Sequence, residues 1–365
     1  MILPEDIEKL IRPEVKAMPP YVPIEPTEVI SRRLGVPEEE VIKLDGNENP
    51  YGCSPKVKRA LAGYAYYHLY PDPEQRELRS ELEKYTGVSV QYLLAGSGSD
   101  ELIDLILRLF IKPGDKVVNC PPTFGMYPFS TDVCGGQVVS IPRKADFSID
   151  TSAAFKAIDG GAKVIFIASP NNPSGNVTPE ATVLDLLKGK AVVVVVDEAY
   201  FEFSGMTVAP LVLKYPNLIV LRTFSKWAGL AGLRVGYGIF PANIVQYLMK
   251  IKQPYNVNAA AQVAALESLR DLDYLRGTIG AIIKERERLM EKLVQLDWLK
   301  VYPSQSNFAL CRVLKGSATT IHQELRRQGI FIRYFETPQL QDCVRISVGK
   351  PEHTDKLIAA LKRKR

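Results

Sequence analysis

AVVVVVDEAYFEF, residues 191–203, decides the fold. Five valines in succession, Val192 to Val196, are continuous rather than alternating. Such a run suits a strand buried on both faces, as in parallel sheets. The run ends on two acids, Asp197 and Glu198, followed shortly by Tyr200. A buried carboxylate is costly unless something pairs with it. The run therefore poses a question: what pairs with Asp197?

Three neighbouring stretches read the same way: KVVNCPP (116–122), KVIFIASP (163–170) and LIVLRTFS (218–225). Each is a short apolar run bounded by turn residues and separated from the next by a helical pattern. Together they predict an α/β fold whose parallel strands are covered on both faces. Ligands collect outside the carboxyl ends of such strands. Here those ends carry CPPTFGMY, SPNNPSG, DEAY and TFSK, and the four clusters predict one shared site.

Beyond Phe240 the pattern changes. A long helical stretch over 258–295 precedes WLKVYPSQSNFALCRV (298–313), a helix near 318–328, GIFIRYF (329–335), CVRISVG (343–349) and a terminal helix. Short strands with helices packed on them indicate a smaller α+β domain. The first 43 residues are dotted with proline. They read as a short helix, an extended arm and a helix near residues 26–34, with Tyr21, Val22 and Ile24 as apolar residues for the arm to bury. The expected division is an arm over 1–43, a large domain over 44–250 and a small domain over 251–365.

The length of 365 residues exceeds what one core usually organises, which also favours two domains. A net charge of +5 is spread too thinly to argue for nucleic acid. Five cysteines with no CxxC pair argue against a disulfide framework or a zinc site and suit a reducing cytoplasm. The N-terminus resembles neither a signal peptide nor a membrane span. The three histidines, His68, His322 and His353, sit beside no cluster of Asp, Glu or Cys. Metal chemistry and histidine-based catalysis are disfavoured, so an enzyme here would need another proton carrier.

TFSKWAGLAGLR (223–234) is the most specific stretch. Lys226 follows a strand, with Thr223 and Ser225 beside it and Arg234 beyond a Gly/Ala-rich turn. A lone lysine at a strand end is ordinarily solvated. With hydroxyls and an arginine close by, it suits a phosphate-bearing cofactor whose aldehyde it could bind as a Schiff base. GSGSDELIDLILRLF (96–110) predicts a helix whose start, with Ser97 and Asp100 in a loose capping box, could bind an anion. SPNNPSG (169–175) is either a rigid turn or a device that aims Asn172 at a ligand oxygen. Asp197 is either a strand-end acid capping the next segment or the partner of a protonated pyridine nitrogen. Under the second reading Tyr200 would reach the ring's phenolic oxygen, and Phe124 would stack on the ring.

SPNNPSG, DEAY and FSK followed by GLR together resemble the fold-type I pyridoxal-phosphate-dependent aminotransferases, over nearly the whole chain. LDGNENPYG (44–52), LYPDPEQRELR (69–79), GSGSDELI and CPPTFGMY narrow the resemblance to those acting on histidinol phosphate. The resemblance implies a mostly parallel seven-stranded sheet between helices, pyridoxal 5'-phosphate as cofactor and a cytoplasmic homodimer. It implies transfer of an amino group from L-histidinol phosphate to 2-oxoglutarate in histidine biosynthesis. Lys226 would bind the cofactor covalently and move the proton. Asp197 would pair with the ring nitrogen, and Asn172 and Tyr200 with the ring oxygen. Ser99, Asp100 (through its backbone), Thr223, Ser225 and Arg234 would surround the phosphate, joined by Tyr70 of the neighbouring subunit. Phe124 stands where some members carry tyrosine, which keeps stacking but loses a hydroxyl contact. Arg345 would bind the substrate carboxylate, Arg333 and Tyr21 would surround the substrate phosphate, and Asn47 would line the same substrate cavity. The alternatives are an aromatic aminotransferase or a threonine-phosphate decarboxylase of the same fold. A non-catalytic relative, such as the effector-sensing domain of a regulator, is disfavoured by the intact Lys226 and Asp197.

Overall fold

The computed structural model describes residues 4–18, 23–188 and 191–363. Its strands, in chain order, are β1 (Ile42–Leu44), β2 (Leu93–Gly96), β3 (Lys116–Asn119), β4 (Gln137–Ser140), β5 (Ala162–Ala168), β6 (Val193–Asp197), β7 (Leu218–Thr223), β8 (Gly236–Ile239), β9 (Leu299–Val301), β10 (Phe308–Val313), β11 (Ile330–Tyr334) and β12 (Cys343–Ser347). Seven of them form one sheet in the order β2-β8-β7-β6-β5-β3-β4. β3, β4, β5, β6 and β7 run parallel, and β8 is antiparallel to both its neighbours. The expected seven-stranded, mostly parallel sheet is present.

The valine run is explained by the two cores it divides. Val194 and Val196 belong to one buried cluster with Ile165, Ile167 and Val220. Val195 faces the other way, into a cluster with Phe166, Ile219 and the helix Gly98–Phe110. Alternate residues of a strand point to opposite faces, so two apolar cores require an unbroken apolar strand. Fully burying one such side chain contributes about 1.5–3 kcal/mol. Asp197 continues the Val195 face.

A second sheet has the order β1-β11-β12-β10-β9, with β1 parallel to β11 and the other pairs antiparallel. β1 enters this sheet from the N-terminal side of the chain, and residues 45–49 then run on toward the large sheet. The stretch expected to be one helix over 258–295 is two, Ala259–Leu269 and Leu272–Val294. The break is held by long-range ion pairs that the local sequence does not disclose. Asp271 pairs with Lys56 at 2.8 Å and accepts from the Ser54 hydroxyl, while Arg270 reaches Glu77 at 2.6 Å. At the N-terminus, helices Pro4–Glu8 and Pro13–Ala17 precede the helix Thr27–Leu34. Tyr21 and Val22 lie outside the described residues, while Ile24 is half-buried. Among the described residues, no helix is long and apolar enough to cross a membrane.

Candidate active site

The carboxyl ends of β3, β5, β6 and β7 open into one cavity of about 570 Å³, lined by Asn119, Ala168, Asp197 and Thr223 from those ends. The loops that follow add Phe124, Asn172, Tyr200, Ser225, Lys226 and Arg234. Ser99 and Asp100 come from the start of the helix Gly98–Phe110, and Asn47, Arg333 and Arg345 close the cavity from the side of the small sheet. Thirteen of the fifteen residues singled out in the sequence thus meet here. Tyr70 does not line it: the residue is 80% exposed and stacks on Tyr255 with ring centroids 4.3 Å apart. Tyr21 lies outside the described residues.

The two acids that end the valine run have different fates. Glu198 pairs with the buried Arg222 at 2.9 Å and also accepts from Thr207 Oγ1 and the Val208 N–H. Asp197 faces the cavity, and no cation pairs with it among the described residues. Its Oδ2 accepts from the Tyr127 hydroxyl at 2.7 Å, and its Oδ1 from the Ala199 N–H at 3.0 Å. Burial raises its pKa to about 6 against those two bonds, and the charges of Asp100 and Glu198 add to the rise. A carboxylate so placed suits a cationic ligand group.

Tyr127 is the site residue that sequence reading missed. It lies within CPPTFGMY, but its partner is 70 residues away. Its ring stacks on Phe166 at 4.7 Å and meets Phe124 edge-on at 5.6 Å. Burial, followed by the Asp197 charge, holds its phenol well above the ordinary tyrosine value, so it remains a donor.

Lys226 projects into the same cavity and donates to the Gly46 carbonyl at 3.3 Å. Its pKa is lowered to about 8, first by burial and next by the Arg345 cation. Such an amine can lose its proton near neutral pH and act as a nucleophile or base. Arg345 donates to Asn172 Oδ1 at 2.6 Å and to the Asp45 carbonyl. With its oxygen taken, the Asn172 amide keeps its N–H groups for the cavity.

The far end of the cavity fits an anion. The expected capping box at the start of the helix Gly98–Phe110 does not form, because Ser97 makes no side-chain cap and Asp100 pairs with Arg234 at 2.9 Å. The Ser97 N–H instead donates to Glu101 Oε2 at 2.6 Å. The helix start therefore faces the cavity uncapped beside Ser99, Thr223, Ser225 and Arg234. Two glycines are required here: Gly98 has a φ of 78°, in the left-handed region, and a Cβ on Gly236 would stand 2.6 Å from the Ser99 nitrogen.

These features fit pyridoxal phosphate: an anion cup at one end, a carboxylate lacking a cation, and an amine with a lowered pKa. The comparisons agree. The family of class I and II aminotransferases matches residues 39–361. A histidinol-phosphate aminotransferase of Roseiflexus castenholzii is 49% identical, with 99% of each chain covered. A chloroplastic one from Nicotiana tabacum is 48% identical over 97% of this chain and 86% of its own. The solved histidinol-phosphate aminotransferase of Sinorhizobium meliloti, in complex with pyridoxal 5'-phosphate, has a TM-score of 0.88 at 28% identity, covering 97% of this chain and 96% of that one. The chain belongs to the class I and II aminotransferase family.

Proposed function

We infer that this chain transfers the amino group of L-histidinol phosphate to 2-oxoglutarate, giving imidazole acetol phosphate and L-glutamate, a step of histidine biosynthesis. Its cofactor is pyridoxal 5'-phosphate. The observation that carries this reading is the 49% identity over 99% of the chain to a histidinol-phosphate aminotransferase, together with a cavity that sets Lys226 and Asp197 in one space.

Bound pyridoxal phosphate supplies an electron sink for the pair left when the substrate Cα–H bond breaks. The chain's residues do the rest. Lys226 would hold the cofactor, and its Nζ would take the Cα proton and return it. Asp197 would keep the ring nitrogen protonated; Tyr127 and the Ala199 N–H hold that carboxylate in place. Asn172 and Tyr200 would donate to the ring oxygen, and Phe124 would cover one ring face. Ser99, the Asp100 backbone, Thr223, Ser225 and Arg234 would hold the phosphate. Arg345 would take the carboxylate of glutamate, Arg333 and Tyr21 would serve the phosphate of the other donor, and Asn47 lines the same cavity. Residues 44–250 act as the cofactor-binding domain, 251–365 as the small domain and 1–43 as the arm.

The test is the visible spectrum of the cofactor-loaded protein, before and after adding L-histidinol phosphate without a keto acid. The band of the lysine-bound cofactor is expected to convert to the pyridoxamine form. Glutamate is expected to do the same, with its half-saturation raised about 10- to 100-fold by Arg345→Ala, the size of one lost charged hydrogen bond. Conversion by phenylalanine or tyrosine alone would move the substrate to the aromatic amino acids.

The same reading makes the enzyme a homodimer. Tyr70 points away from its own cavity, and Tyr66, Tyr67, Leu69 and Tyr255 are exposed with it. Such a patch marks an association surface, and Tyr70 would enter the neighbour's phosphate site. Sedimentation at micromolar concentration is expected to give twice the chain mass, and a monomer would remove Tyr70 from the site. Five free thiols suit a reducing compartment, and we place the enzyme in the cytoplasm.

A further inference from the structure

Residues 45–49 and strand β12 carry a hydrogen-bond relay whose serine, Ser347, has no role above. Asn47 and Ser347 are both buried, at 1% and 3% exposure. The Asn47 backbone N–H donates to Ser347 Oγ at 2.9 Å. The Ser347 hydroxyl donates to Asn47 Oδ1 at 2.7 Å. The side-chain nitrogen of Asn47 donates to the Tyr200 hydroxyl oxygen at 2.9 Å.

The direction of the relay follows from what each group can do. A backbone N–H only donates, so Ser347 Oγ accepts from it and keeps its own proton to give. That proton goes to the Asn47 side chain, which makes the receiving atom the amide oxygen and turns the nitrogen toward Tyr200. The Tyr200 oxygen accepts there, and its proton is left over. Among the described residues no acceptor takes it, and Tyr200 lines the cavity. Asn47 is held for this purpose at both ends. Its φ of 53° lies in the left-handed region, and its carbonyl accepts from the buried Asn307 side chain at 2.9 Å.

We propose that Ser347 is a positioning residue that, through Asn47, fixes the Tyr200 hydroxyl as a donor into the cavity, toward the ring oxygen of the cofactor. This rests on the assignment of Tyr200 as a ring contact. Ser347 lies two residues from Arg345 on β12, so both project from one face of that strand. One strand of the small sheet thus presents the carboxylate-binding arginine and sets the polarity of a hydrogen bond at the ring. Without the Ser347 hydroxyl, the Asn47 oxygen lacks its donor. Tyr200 can then give its proton to Asn47 instead of the cavity.

The experiment titrates the visible band of the cofactor-loaded protein without substrate. A donor on the ring oxygen draws off negative charge. When it is lost, the protonated nitrogen that Lys226 would contribute beside that oxygen holds its proton to higher pH. Tyr200→Phe is expected to raise the midpoint by about one pH unit. Ser347→Ala is expected to raise it in the same direction, and to add nothing in the Tyr200→Phe background. Ser347→Thr, which keeps the hydroxyl, should restore the wild-type midpoint. Asn47→Gly tolerates the positive φ while removing the amide, and is expected to behave as Ser347→Ala does if that variant fails to fold. A shift with Tyr200→Phe but none with Ser347→Ala or Asn47→Gly overturns the relay. So does an equal Ser347→Ala shift with and without Tyr200. No shift with Tyr200→Phe itself overturns the ring-contact assignment, and the relay with it.

Discussion

Lys226→Ala is expected to lower kcat by at least about 10⁴-fold, the upper range for removing a positioned general acid–base, and more where the same group is also the covalent anchor. The visible band of the lysine-bound cofactor should vanish with it. The structure makes the loss chemical rather than structural. Among the described residues Lys226 Nζ makes one protein hydrogen bond, to the Gly46 carbonyl at 3.3 Å, and its neighbours Trp227 and Ser225 are buried in their own right. Burial lowers the lysine pKa from the ordinary 10.5 to about 8. In the cofactor-free protein the unfolded chain therefore binds the extra proton between those values. The wild type should gain stability as pH rises through that window, and the alanine variant should lose that component. Turnover of the variant at the wild-type rate would take Lys226 out of the reaction. Normal turnover with an unchanged melting profile would also remove the buried-amine argument.

How much of this was legible in the sequence depended on which interactions were local. The parallel strands β3, β5, β6 and β7 were legible because burial on both faces leaves an unbroken apolar run. The short strands β2, β4 and β8 carry no such run. β8 contains Gly236 and Gly238, whose presence is dictated by close approach of the Ser99 backbone and the Phe240 ring rather than by any strand pattern. Lys226, Asp197 and Asn172 were legible because each ends a strand within a distinctive cluster. The partners that orient them were not. Tyr127 meets Asp197, and Arg345 meets Asn172, only through the strand order of two sheets. The capping box failed for a similar reason. Asp100 has a stronger claim from Arg234, a residue 134 positions away, and this frees the helix start to face the cavity.

Asp197→Asn is expected to act in opposite directions with and without cofactor. Without it, the Asp197 carboxyl is raised from the ordinary 3.8 to about 6, chiefly by burial. The folded state then holds the proton more tightly than the unfolded chain. Stability falls as pH rises from about 4 to about 6 and stays lowered above that, by up to roughly 3 kcal/mol. Asparagine carries no such charge. Its oxygen can accept from the Ala199 N–H, and the Tyr127 hydroxyl can turn from donor to acceptor. The cofactor-free variant should therefore be the more stable protein at pH 8, with the difference closing below about pH 4, as read by urea unfolding across that range. With cofactor bound the order should reverse. Losing one member of a buried ion pair costs about 3–5 kcal/mol. Loss of the part of that interaction gained only in the transition state lowers kcat as well, by about tenfold for each ~1.4 kcal/mol. Glu198 next door supplies the contrast: its cation, Arg222, is built into the chain, so Glu198→Gln should destabilise the protein whether or not cofactor is present. An Asp197→Asn protein that is less stable than wild type without cofactor, or that turns over normally with it, would show that Asp197 is a structural acid like its neighbour.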